Sequence, residues 1–161
     1  MVPALLVLAL TLVPAAAMAA PAAPGFRVRL LDSRAVFDSR EEIGKRVVVL
    51  RFQASYCKAC AREAAAFGRL AERYRDRTVT FLGIHVQDTV SDARRFVRAH
   101  KISYPVALDP RLTIGNRYGF KGAPYTVVID RKGEMVAQIR GESTVTRLPR
   151  ILDDLLSRQN R

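Results

Sequence analysis

The sequence predicts an α/β fold, a three-layer sandwich with a central mixed sheet, flanking helices and an N-terminal β extension. Two near-continuous apolar runs, Val47–Gln53 and Thr78–Val86, are typical of strands buried on both faces of a sheet. Ala61–Arg75 lies between them and carries a helical stripe of apolar residues, so we expect two parallel strands joined by a crossover helix. Near the C-terminus, the strand-like segments Tyr125–Ile129 and Met135–Arg140 flank a strong turn signal, which indicates an antiparallel hairpin.

The first twenty residues differ in composition from the rest of the chain. Leu5–Val13 is apolar and uncharged, and the small residues after it include Ala17-Met18-Ala19, which fits the A-x-A pattern of a signal-peptide cleavage site. We therefore predict that residues 1–20 are a secretory signal peptide. The alternative is an uncleaved membrane anchor, because Val2–Ala20 is about long enough to span a bilayer.

The chain after this segment is long enough for one domain. We place a short linker at residues 21–25 and the folded domain at residues 26–161. The domain begins with two β-like pieces, Phe26–Leu31 and Ala35–Phe37, on either side of an Asp32-Ser33 turn. These pieces are the predicted N-terminal β extension.

Three further helices are expected after the second strand. Ser91 caps a helix that runs through Ala99. Leu112–Tyr118 is a short helix that ends at Gly119. Val145–Leu156 closes the chain as an amphipathic helix.

The chain is strongly basic. Lys and Arg number 27 against 15 Asp and Glu, which gives a formal net charge of +12. Such an excess can indicate a nucleic-acid or membrane-surface partner. The arginines are scattered and no aromatic residues are interleaved with them, so we expect a generally basic surface and no nucleic-acid partner.

The two cysteines of the chain form the motif Cys57-Lys58-Ala59-Cys60, between the first long strand and the first helix. Cys57 is expected at the first turn of that helix, where unpaired backbone N–H groups and the helix dipole favour a thiolate. Cys60 lies one turn further on the same face, near enough for a disulfide. So small a ring restrains the unfolded chain little, so a redox-active pair is favoured over a structural disulfide.

A metal site at the cysteines would need two more ligands. The two histidines are His85, inside the second predicted strand, and His100, at the end of a predicted helix. We interpret them as a half-buried strand residue and a cation at a helix C-terminus. We expect no metal site and no cofactor, and a copper-binding chaperone that uses Cys57 and Cys60 as soft ligands is the non-enzymatic alternative.

Two motifs resemble those of the TlpA/ResA-like branch of thioredoxin-fold proteins. The segment Phe52–Glu63, FQASYCKACARE, is similar to the pattern F-W-A-S-W-C-x-x-C-x-x-E, and Tyr118–Asp130, YGFKGAPYTVVID, is similar to Y-G-V-x-G-x-P-T-T-F-L-I-D. The resemblance covers nearly the whole chain after the signal segment and implies a thioredoxin-like fold. It also implies a cis peptide bond before Pro124, which would face the two cysteines.

Three residues are predicted to carry the chemistry. Thiol–disulfide exchange needs a thiolate that attacks and a thiol that resolves the mixed disulfide, and we assign these roles to Cys57, at the exposed N-terminal edge, and to the deeper Cys60. Glu63 matches the glutamate of the motif, which the resemblance associates with proton transfer to or from the deeper thiol. The alternative is that Glu63 is an exposed residue that pairs near Arg62 or Lys58.

The neighbouring residues are expected to tune the redox chemistry and to bind substrate; they are Tyr56, Lys58, Ala59, Ala123 and Pro124. Lys58 either places an ammonium beside Cys57, which favours the thiolate, or points to solvent. A cis Pro124 would expose the backbone of Ala123 to an extended partner segment.

Several residues depart from the pattern of the branch. Arg51 stands where Asn is usual, and because an unpaired buried arginine is costly we expect it to contact a carboxylate such as Glu63. Gln53 and Tyr56 replace the two tryptophans, and Ala65 replaces a helix-kinking proline. These changes leave the redox mechanism intact and the identity of the partner open.

We therefore expect an exported bacterial thiol–disulfide oxidoreductase, periplasmic or otherwise extracytoplasmic, that reduces specific partner proteins. By resemblance, the partners would include apocytochrome c or copper-site assembly proteins, and a membrane electron donor would re-reduce the cysteines. A disulfide-donating oxidase is the alternative. A peroxidase is disfavoured, because Ala54 and Leu50 stand where peroxiredoxins have a Thr or Ser and a Pro.

Overall fold

A computed structural model describes residues 20–158 of the chain. The predicted signal peptide lies outside the described residues, apart from Ala20. Within residues 20–158, no helix combines the length and the apolar character that crossing a membrane requires.

The domain is built on a five-stranded mixed sheet, with a two-stranded hairpin before it. The elements are β1 (Arg27–Arg29), β2 (Val36–Asp38), β3 (Val47–Gln53), α1 (Lys58–Tyr74), β4 (Val79–Val86), α2 (Val90–Ala99), β5 (Val106–Asp109), α3 (Thr113–Arg117), β6 (Tyr125–Ile129), β7 (Met135–Arg140) and α4 (Thr144–Arg158). The strand order is β5-β4-β3-β6-β7. β3, β4 and β5 are parallel, whereas β6 and β7 are antiparallel to their neighbours. The predicted three-layer α/β sandwich with a mixed sheet is confirmed.

β3 lies at the centre of the sheet, and every one of its seven residues is buried. On one face, α1 and α4 pack against the sheet through side chains such as Phe67 and Leu148. On the other face, α2 and α3 contribute Phe96 and Ile114. Because β3 and β4 are parallel, their carboxyl ends meet at one edge of the sheet, and the cysteine motif begins at that edge.

The N-terminal hairpin of β1 and β2 confirms the predicted β extension. β1 pairs antiparallel with β2. The segment after β1 reaches the edge strand of the main sheet, where the backbone N–H of Leu31 donates to the carbonyl of Val106 at 2.7 Å and Leu30 forms a bridge with Ala107. The hairpin therefore covers the β5 edge, which would otherwise present unpaired backbone groups.

Two local features differ from the sequence prediction. The sequence pattern does not predict β5, because its apolar run, at positions 106–108, has only three residues and is too short to distinguish a strand from a loop. The N-cap of α2 is Thr89 rather than Ser91, since the Thr89 hydroxyl accepts the backbone N–H of Asp92 at 3.1 Å. Ser91 lies within the first turn of the helix.

Candidate active site

The two cysteines lie at the start of α1, immediately after the turn that follows β3. Cys57 is the N-cap of the helix, one position before the predicted first turn, and its Sγ accepts the backbone N–H of Cys60 at 3.0 Å. The two residues form a disulfide, with their Cα atoms 5.2 Å apart. Cys57 is 8% exposed and Cys60 is 2% exposed. The expectation of an exposed Cys57 is therefore wrong, because the surrounding turn and core cover most of its surface, although it is the more accessible of the pair.

The residues beside the cysteines differ in exposure. Tyr56 is 62% exposed, and its hydroxyl donates to Gln87 Oε1 at 3.3 Å. Partial burial, and then the nearby Asp88 carboxylate, raise the pKa of Tyr56. Lys58 is exposed and Ala59 is half-buried. Tyr56 and Lys58, which flank Cys57 in the sequence, are therefore both accessible from outside the protein.

Glu63 lies one turn after Cys60, inside the protein. Its side chain is 7% exposed, and its Oε2 accepts a hydrogen bond from Nη2 of Arg51, whose side chain is 1% exposed, at 2.6 Å. The predicted contact between Arg51 and Glu63 is confirmed. The alternative of an exposed Glu63 is wrong, because α1 turns this position toward β3, and Arg62 pairs with Glu142 instead.

The guanidinium of Arg51 has further contacts that hold it in the interior. Nη1 donates to the hydroxyls of Thr126 on β6 and Thr144 at the start of α4, each at 3.1 Å. The guanidinium also lies over the ring of Phe67, 5.0 Å from its centroid. The second carboxylate oxygen of Glu63, Oε1, is buried and has no hydrogen-bond partner within residues 20–158. The guanidinium therefore has several compensating contacts, whereas the buried carboxylate depends on Arg51.

The predicted cis bond is present between Ala123 and Pro124. Ala123 is half-buried and packs against the core cluster that contains Cys57 and Cys60. Pro124 is buried, and its carbonyl accepts the backbone N–H of Gly141 at 2.9 Å. The structure thus brings the second motif to the same core cluster as the first.

Sequence reasoning missed a polar group beneath the active-site turn. His85 is completely buried, not half-buried, and it contacts the buried carboxylate of Asp88 at 2.6 Å. The same carboxylate binds Ser55, two residues before Cys57. The position of Asp88 in the sequence could have indicated this contact. Asp88 comes just after β4 and Cys57 comes just after β3, and these two parallel strands end at the same edge of the sheet. In the part of the chain that the structure describes, no group of three or more His, Cys, Asp or Glu residues is placed to hold a metal ion.

Comparison with known proteins identifies related sequences and folds. The sequence profile of the AhpC/TSA family matches residues 20–138. Thiol-disulfide oxidoreductase ResA of Bacillus thuringiensis (strain Al Hakam) is 29% identical over 126 residues, which span 78% of this chain and 72% of that protein.

Two solved structures of similar fold come from proteins of related description. A thiol:disulfide interchange protein of the thioredoxin family from Chlorobium tepidum TLS superimposes with a TM-score of 0.77 at 24% identity, over 88% of this chain and 99% of that one. A secreted Mycobacterium tuberculosis disulfide oxidoreductase, homologous to E. coli DsbE, gives a TM-score of 0.63 at 27% identity, over 71% and 81% of the two chains. The fold is thioredoxin-like.

Proposed function

This chain belongs to the AhpC/TSA family and is a thiol–disulfide oxidoreductase, and on that premise we propose that it is exported and reduces disulfides of specific extracytoplasmic partner proteins. One observation carries the proposal: Cys57, the N-cap of α1, forms a disulfide with Cys60, which lies one turn further into the helix. The chemistry requires two thiols of unequal accessibility, and this arrangement supplies them.

The reaction follows from that asymmetry. In the reduced protein, the Cys57 thiolate attacks one sulfur of the partner's disulfide, a mixed disulfide forms, and the partner's other sulfur leaves as a thiolate. The Cys60 thiolate then attacks Sγ of Cys57, which releases the partner's second thiol and closes the Cys57–Cys60 disulfide. Two electrons pass to the partner. A dithiol electron donor at the membrane returns two electrons and completes the cycle.

Local structure favours Cys57 as the attacking group. Its Sγ already accepts the backbone N–H of Cys60, and a thiolate at this position would strengthen that hydrogen bond and face the positive end of the helix dipole. We propose that Glu63 exchanges a proton with the deeper thiol and that Tyr56, Lys58, Ala59, Ala123 and Pro124 form the surface that binds partners. If the pH–rate profile of disulfide reduction is unchanged in Glu63→Gln, Glu63 takes no part in proton transfer.

Export and the partner class rest on separate support. The apolar segment before Ala20 has the composition of a signal peptide or an N-terminal membrane anchor, and one relative of similar fold is a secreted protein. We propose a bacterial periplasmic or other extracytoplasmic location. Resemblance to the TlpA/ResA-like branch points to apocytochrome c, during cytochrome c biogenesis, or to copper-site assembly proteins as substrates.

A peroxidase reaction is not favoured, despite the breadth of the family. Ala54 lies three residues before Cys57, is fully buried and offers no hydroxyl to a peroxide. A copper-binding chaperone stays the non-enzymatic alternative, because the two thiolates are soft ligands that suit Cu(I). A competition titration of the reduced protein with Cu(I) tests it.

Trapping of mixed disulfides tests the proposal. The Cys60→Ser variant keeps the attacking thiol and loses the resolving thiol, so it should accumulate covalent complexes with extracytoplasmic partners that dithiothreitol releases. Cys57→Ser is the matched control and should trap far fewer complexes. Equal trapping by both variants would contradict the assigned roles, and the absence of complexes with either variant would contradict the reductase function.

A further inference from the structure

A chain of buried hydrogen bonds runs from the segment before β5, across the carboxyl ends of β3 and β4, to the turn that carries the attacking cysteine. The Tyr104 hydroxyl donates to Oε1 of Gln53 at 3.2 Å, and Nε2 of Gln53 lies 2.9 Å from Nε2 of His85. Nδ1 of His85 lies 2.6 Å from Oδ2 of Asp88. All four residues are buried, so water does not compete for these contacts.

One assignment of protons satisfies every contact in this chain. Because the amide oxygen of Gln53 accepts from Tyr104, its amide nitrogen is the atom that donates to His85. Nε2 of His85 is then an acceptor, the imidazole proton lies on Nδ1, and Nδ1–H donates to the Asp88 carboxylate. Burial lowers the pKa of His85, an effect larger than the opposing one of Asp88, so the imidazole is neutral at pH 7. The negative charge of the pair therefore resides on Asp88.

The same carboxylate holds the active-site turn at two points. Oδ2 of Asp88 accepts the backbone N–H of Ser55 at 2.8 Å, and Oδ1 accepts the Ser55 hydroxyl at 2.6 Å. Ser55 is the second residue of a turn in which the N–H of Cys57 donates to the carbonyl of Ala54 at 3.1 Å. A displacement of Ser55 would therefore move Cys57 relative to α1.

We propose that Asp88, held in place by His85, is a positioning residue for the attacking thiol. It fixes the turn from which Cys57 reacts, and its buried negative charge opposes the Cys57 thiolate, which makes the dithiol a stronger reductant. This inference rests on the proposed reductase function. When the dithiol donates its two electrons, the Cys57–Cys60 disulfide forms, so a less stable thiolate in the reduced protein favours the oxidised form of this protein and the reduced form of its partner.

The surroundings indicate that the charge of Asp88 acts on the turn. Asp88 contributes to the raised pKa of Tyr56, the residue between Ser55 and Cys57. Phe96 of α2 packs edge-on against the His85 ring, with the ring centroids 5.2 Å apart. Tyr104, at the far side of Gln53, is neutral at neutral pH because burial raises its pKa to about 12. His100 also contacts Phe96, with the two ring centroids 4.4 Å apart.

The decisive variant is Asp88→Asn, which keeps the shape of the side chain and removes its charge. The readout is the pH dependence of iodoacetamide alkylation of Cys57 in the reduced protein, in a Cys60→Ala background. We expect the alkylation midpoint to fall by about one pH unit, because a negative charge bound to Ser55, two residues before the thiolate, is lost. An unchanged or raised midpoint would overturn the proposal.

Asp109→Asn is the matched control. Asp109 is equally buried, is the last residue of the neighbouring strand β5, and also accepts hydrogen bonds from backbone N–H groups, those of Thr113, Ile114 and Gly115. It has no hydrogen bond to the active-site turn. Its loss should lower stability and leave the alkylation midpoint in place, and an equal shift in both variants would assign the effect to general loosening and overturn the proposal.

A measurement on the unaltered protein covers the case in which Asp88→Asn does not fold. The nitrogen chemical shifts of His85 should show a neutral ring protonated at Nδ1, and they should change when Cys57–Cys60 is reduced. A proton on Nε2, or shifts that do not respond to reduction, would overturn the proposal. Neither this measurement nor the alkylation assay depends on export or on the partner, so a failure of the proposed function in the trapping experiment is distinguishable from a failure of this inference.

Discussion

Replacing Glu63 by Gln should destabilise the protein far more than the loss of an ordinary surface ion pair. The carboxylate is the charged partner of Arg51, with Nη2 and Oε2 2.6 Å apart and both side chains almost completely buried. Breaking a buried pair leaves one charge uncompensated, which costs about 3–5 kcal/mol. Gln keeps one acceptor for the guanidinium, so we expect the lower end, about 3 kcal/mol, or a fall in Tm of roughly 10 °C for a domain of this size.

The assay is urea unfolding of the oxidised protein, followed by circular dichroism. Glu142→Gln is the control, because its ion pair with Arg62 lies on the surface and should contribute less than about 1 kcal/mol. The double variant Arg51→Met/Glu63→Gln removes both charges and should recover much of the lost stability. The reasoning would be refuted if Glu63→Gln cost no more than Glu142→Gln. It would also be refuted if the double variant were no more stable than the summed losses of Arg51→Met and Glu63→Gln predict.

Two further predictions concern β4. In Gly83→Ala the new Cβ would lie 2.9 Å from the ring of Tyr104, so we expect the free energy of unfolding in urea to fall by about 1–3 kcal/mol. Gly68→Ala in α1 is the control, because its Cβ meets no neighbour within 4 Å and should raise the free energy of unfolding by up to about 1 kcal/mol. Equal effects of the two variants would contradict the packing around Gly83. Burial lowers the pKa of His85 in the folded state below its ordinary value of 6.5. The stability that the neutral imidazole contributes is therefore complete above pH 6.5, and it is lost as the pH falls from 6.5 toward the folded-state pKa. His85→Gln should flatten this acid-side decline in unfolding free energy, while His100→Gln should not; a wild-type protein with no decline between pH 6.5 and 5 would show that the imidazole charges freely.

The central elements of the fold could be predicted because each has a strong local cause. β3 is an uninterrupted apolar run, and the hairpin of β6 and β7 is defined by the turn Asp130–Gly133, so their bounds agree with the structure. The contact of Arg51 with Glu63 could also be predicted. Arg51 is a charge inside a buried strand that needs a partner, and Glu63 is the carboxylate that the crossover helix returns to that strand.

The polar support of the active-site turn could not be predicted in the same way. Ser55 and Asp88 are 33 residues apart, and either residue alone is an ordinary turn or strand-end residue. Gln53 is recognisable only as a departure from a motif, and its role depends on the register that places it opposite His85 on β4. Such contacts follow from tertiary pairing, which local patterns do not encode.

The midpoint potential of the Cys57–Cys60 couple tests the central claim most directly. The purified protein would be equilibrated in dithiothreitol or glutathione redox buffers, and its free thiols counted. A reductant of extracytoplasmic disulfides should have a potential near or below about −250 mV. A potential above about −150 mV would contradict the account and identify the protein as a disulfide donor.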